Sequence, residues 1–137
     1  MAIDKLAHQI IEFYEKISSW EHGVVKGTGL SPAQMHTIEI IGHEQSLRMK
    51  ELAEKIGITT GTLTVMIDRL QKLGFVKRIP HEQDRRSFLV VLTQKGEKQF
   101  NNHHELHVKL TEEITGTLTS KELENLSTTL GKILPHI

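Results

Sequence analysis

His103 and His107 stand four residues apart, a spacing that sets two imidazoles on one face of a helix, a turn from each other. That is a common geometry for two ligands of a single zinc ion. It is equally the geometry of a solvated helix surface, and spacing alone does not separate the two. Nine histidines in 137 residues leave further imidazole donors at hand. Without cysteine there is no thiolate site, disulfide or thiol redox switch, which suits a reducing interior without requiring one.

A second chemistry lies in residues 60–86. Thr60, Thr62, Thr64 and Arg69 fall on or near one side of a helical stretch, where short hydroxyls can bond phosphates or base edges. Over residues 68–86 the basic Arg69, Lys72, Lys77, Arg78, Arg85 and Arg86 outnumber Asp68, Glu82 and Asp84, in a chain whose formal net charge is zero. A local basic excess is what a nucleic-acid surface needs. The plainer reading is a charged, solvated hairpin beside an ordinary helical pair. Enzyme chemistry has little to stand on, since HExxH, G-x-S-x-G and a glycine-rich phosphate loop are all missing. Glu12, Glu15 and Glu39 read as solvated helix faces rather than acid–base pairs.

The elements that must hold these residues follow from periodicity and punctuation. Ile3 to about Lys26 has helical apolar spacing, broken by Gly27-Thr28-Gly29. Ser31-Pro32 opens a second helix to about His43 that buries Met35, Ile38, Ile41 and also Ile40. Ser46-Leu47-Arg48 is short enough for a single strand. Lys50–Ile56 forms a helix ended by Gly57, and a further helix capped by Thr59 or Thr60 runs to Gly74 with Leu63, Met66, Ile67, Leu70 and Leu73 inward. Phe75–Ile79 and Ser87–Leu92 read as strands around the polar tip 80–86. Thr93 caps a helix from Gln94 to about Thr117, and Thr119 with Glu122 opens the last one, which ends at Pro135. The result is mainly α with a small β wing, a winged helix-turn-helix within one domain, 1–137. The amphipathic, charged opening does not look like a signal peptide, and no apolar run approaches membrane-spanning length. A soluble, cytoplasmic protein is expected.

The runs GTLTVMIDRLQKLGFVKR and DRRSFLVVLTQKGE resemble the winged helix of the MarR (multiple antibiotic resistance regulator) transcription factors, and the resemblance covers nearly the whole chain. It implies that Thr60, Thr62, Thr64 and Arg69 meet the DNA major groove. It further implies that Arg86 reaches the minor groove beside Arg85 while Asp84 holds the wing in shape. Residues 31–93 would be the DNA-binding region, with 1–30 and 94–137 as dimerisation helices. A homodimer would then bind double-stranded DNA at a pseudo-palindromic operator, as a regulator of transcription and a repressor.

The histidines are similar to those of the zinc-responsive AdcR and ZitR branch of that family. His103 and His107 fall on two of its ligands, Gln34-Met35-His36 matches a third, and a carboxylate on the first helix is the fourth. Here that carboxylate position falls on Lys26, which leaves His22, or Glu21 as the alternative. The branch's secondary site uses a cysteine and two glutamates; this chain has Met35 and Asn102 at the two positions that align, so at most one zinc per chain is expected. The resemblance thus implies a zinc corepressor bound between the first, second and fifth helices. The alternative is the family's small organic effector in the interdomain cleft, with no metal.

Overall fold

Caps and glycines set the boundaries of the helices. In the computed structural model, which describes residues 1–84 and 86–137, α1 (Ala2–Val25) passes into a 3-10 turn, Lys26–Thr28, and the chain turns at Gly29 with φ 79°. α2 (Pro32–Glu44) starts at a reciprocal cap: the Gln34 amide donates to Ser31 Oγ and the Ser31 amide to Gln34 Oε1. After β1 (Leu47–Arg48), α3 (Met49–Ile56) stops at Gly57, φ 82°. α4 (Thr60–Lys72) is capped by Thr59, whose hydroxyl accepts from the Thr62 amide at 3.1 Å.

β2 (Val76–Pro80) and β3 (Phe88–Leu92) form the wing hairpin, and β1 joins the other side of β3, all antiparallel. The strands sit one residue later than expected at the start of both β2 and β3. Pro80 belongs to β2, opposite Phe88, rather than to the tip, because β2 is an edge strand and tolerates a missing amide. α5 (Gln94–Ile114) ends three residues short of the expected Thr117, with Gly116 in the turn that follows, and α6 (Ser120–Ile133) opens at the Thr119–Glu122 capping box. Among the described residues no helix is long and apolar enough to cross a membrane.

Two compact units are distinguished, Met1–Phe100 and Asn101–Ile137. The core of the first unites Met35, Ile38 and Ile41 of α2, Leu52 of α3, Leu63, Ile67 and Leu70 of α4, and Val90 of β3, all fully buried. Each such Leu or Ile is worth about 1.5–3 kcal/mol of apolar burial. Ile40 is only half-buried, and Thr37 takes a core place instead, donating to the Ala33 carbonyl and to Met66 Sδ, both at 2.9 Å. In the second unit the α6 row Leu123, Leu126, Leu130 and Ile133 stays exposed in the single chain.

Two glycines mark close approaches in the first unit. A Cβ on Gly96 would overlap the Phe75 carbonyl, and one on Gly42 would overlap the Phe100 ring. Thr93 completes the first of these joints, its amide donating to the Phe75 carbonyl at 3.0 Å and its hydroxyl to that of Gly74. The β3–α5 corner is thereby fixed to the α4–β2 corner.

Candidate nucleic-acid interface and metal-ligating group

α4 divides cleanly by burial. Leu63, Ile67 and Leu70 are buried, whereas Thr60, Thr62, Thr64, Val65, Asp68 and Arg69 are exposed. The outward threonines are not loose: Thr59 Oγ1 donates to Thr62 Oγ1 at 3.0 Å, and Thr64 Oγ1 donates to the Thr60 carbonyl at 2.8 Å. The outer face therefore presents a fixed, small-residue surface with two cations, Arg69 and Lys72, in its last turn.

The wing is joined to this face by Arg78 of β2, which donates to Asp68 Oδ1 at 2.6 Å and to Gln71 Oε1 at 2.5 Å. Asp68, Gln71, Lys72 and Arg78 line a shallow depression of about 370 Å³ between helix and strand. At the other end of the hairpin, Asp84 Oδ1 accepts the Arg86 amide at 3.0 Å, and the Asp84 carbonyl accepts the Ser87 amide at 3.1 Å. Two local bonds thus close the tip around Asp84. Arg86 is exposed, and Arg85 lies outside the described residues. His81, where the chain leaves β2 for the tip, lies 3.0 Å, through Nε2, from Arg48 Nη2 of β1.

The helix-five histidines stand edge to face, ring centroids 4.4 Å apart, with His103 1% exposed and His107 half-buried. Glu21 of α1 and Glu39 of α2, in the first unit, are half-buried carboxylates. Carboxylate oxygens and imidazole nitrogens are both donor types that zinc and other first-row divalent ions accept.

Comparison with known proteins places this architecture. The MarR family model matches residues 30–88. The regulator YfiV of Bacillus subtilis is 39% identical over 82 residues, 59% of this chain and 51% of YfiV, so the match spans about half that relative's length. The reduced form of MarR from E. coli is 30% identical, with TM-score 0.77 over 95% of this chain and 96% of that one. The chain belongs to the MarR family. A mutant E. coli MarR complexed with operator DNA is 29% identical, TM-score 0.74, over 97% and 96% of the two chains. FabT of Streptococcus pneumoniae in complex with DNA shares the fold at TM-score 0.87 and 23% identity, over 98% and 96%. YfiV and the BilQ protein of Clostridium symbiosum, 30% identical over 77% of this chain and 73% of BilQ, bear the names of transcriptional regulators.

Within this MarR chain the expected metal ligands differ in exposure. His103 is buried, and His107 and the alternative donor Glu21 are half-buried. His36 and His22 are exposed, and His22 Nδ1 donates to the Ser18 carbonyl at 2.8 Å. Lys26, where the branch's carboxylate falls, is exposed as well. Glu39, expected on a solvated face, is half-buried, one turn from His36 on α2.

Proposed function

We propose that this MarR-family chain is a DNA-binding transcriptional repressor acting as a homodimer, with operator affinity raised by zinc. The observation that carries the DNA reading is the outward row Thr60, Thr64, Val65 and Arg69 on a helix whose opposite row is fully buried, a surface narrow enough to enter a major groove. Arg86 at the wing tip supplies a cation for the adjacent minor groove. The match to MarR on operator DNA supports the same reading. Exposed apolar rows on α1 (Leu6, Ile10, Phe13) and α6 (Leu123, Leu126, Leu130) support the homodimer, since a lone chain leaves them in water.

Zinc control rests on the imidazole pair. His103 and His107, a turn apart on α5 with ring centroids 4.4 Å apart, would hold the ion, which would supply only charge and fixed coordination there. Regulation requires the DNA-competent conformation to bind zinc more tightly than the other conformations do.

Fluorescence anisotropy of labelled duplex DNA with added zinc and with chelator tests both parts. Binding should weaken steeply with salt, as phosphate contacts demand, and weaken again with chelator. Protein that ignores duplex DNA at low salt in both conditions overturns the repressor reading. Equal affinities with zinc and chelator overturn only the zinc reading.

A further inference from the structure

Val65 is 71% exposed although its neighbours two residues away on each side, Leu63 and Ile67, are fully buried. A β-branched apolar residue in mid-helix has a lower helix propensity than alanine and, exposed, recovers nothing by burial. Among the described residues the packing leaves it mostly open. The surroundings narrow what would cover it. The hydroxyl proton of Thr64 goes to the Thr60 carbonyl and is not available outward, whereas Thr62 Oγ1 receives the proton of Thr59 and keeps its own. At Val65 itself α4 offers two methyl groups outward.

In the major groove the apolar group available to meet them is the 5-methyl of thymine; the other base-edge features are donors and acceptors. We propose that Val65 is a specificity-determining residue that selects thymine in each half-site by packing on its 5-methyl group. This rests on the DNA-binding reading above and specifies how that face reads sequence. Arg69, one turn further along the same exposed side, supplies the charged contact beside it. The selected base is set by shape and apolar contact, so the preference survives salt that weakens phosphate contacts.

The test uses the full chain and a duplex recovered by repeated selection from a random-sequence library. Each thymine of that duplex is replaced in turn by uracil, which removes one 5-methyl and keeps the pairing. One thymine per half-site should prove sensitive, with affinity falling about fourfold per methyl removed, the worth of one buried methyl group. Val65→Ala, at an exposed site that leaves folding intact, should bind the thymine and uracil duplexes equally. Two results overturn the proposal while leaving the DNA reading in place: a wild-type protein indifferent to every uracil, or Val65→Ala with undiminished methyl dependence. Failure to retain any duplex overturns both.

Discussion

Arg78 Nη2 lies 2.6 Å from Asp68 Oδ1, so a residue of the wing strand and a residue of the reading helix share one ion pair, which Gln71 extends. The pair is partly open to water, 24% and 56% exposed, and its direct worth to stability is about 0.5–1 kcal/mol. Its larger effect is orientation. The planar guanidinium engages two acceptors at once, and an ammonium has no matching fork. Arg78→Lys should therefore leave thermal stability nearly unchanged while weakening duplex binding about fivefold, the equivalent of ~1 kcal/mol of lost preorganisation. Paired thermal melts and anisotropy titrations check this, and undiminished binding would make the tie purely structural.

Gly42 of α2 and Gly96 of α5 face groups that leave no room for a methyl: the Phe100 ring in one case, the Phe75 carbonyl in the other. Gly42→Ala should cost about 1–3 kcal/mol, as overpacking does where a side chain has to move aside. Gly96→Ala should cost more. A ring can rotate away, whereas the Phe75 carbonyl is held by the Thr93 amide. Urea unfolding should show the order wild type, Gly42→Ala, Gly96→Ala in falling midpoint.

The division between what the chain's letters revealed and what they hid follows the range of the interactions. Ser31 with Gln34, Thr59 with Thr62, and Thr119 with Glu122 are caps closed within three residues, so spacing displays them. Gly57 and Gly74 end helices through their own positive φ, which is equally local. Thr37 on Met66 spans 29 residues and Arg78 on Asp68 spans 10; no periodicity announces either. Glu39 was hidden for a related reason. The apolar stripe of α2 identifies the side facing the core, but a helix also has flanking polar positions, and its own pattern does not reveal which of them become covered.

Gly61, in the first turn of α4, is a different kind of glycine. A Cβ there would meet only Thr59 Oγ1, at an ordinary 3.9 Å, so the protein's own packing does not require its absence. Alanine should add a few tenths to about 1 kcal/mol of helix stability. If the position is small because a nucleic-acid backbone comes close to it, the same change should weaken duplex binding. A higher melting temperature together with poorer DNA affinity is the expected result. A gain in both would place this turn away from the duplex.

Two donors of α2 compete for the helix-two place in the proposed zinc site, and a pair of variants decides between them. Resemblance assigns His36, which is exposed; Glu39, one turn away on the same helix, is half-buried. With zinc delivered from a competing chelator and binding followed by calorimetry, Glu39→Gln should lose at least about tenfold in affinity, since even outer-shell partners are worth that much. His36→Ala should stay within about twofold of wild type, because a side chain that supplies no ligand atom leaves the binding free energy essentially untouched. His107→Ala calibrates the comparison, as both assignments include that residue. The reverse order, with His36→Ala the weaker binder, would return the helix-two ligand to the histidine and leave Glu39 as a carboxylate beside the site.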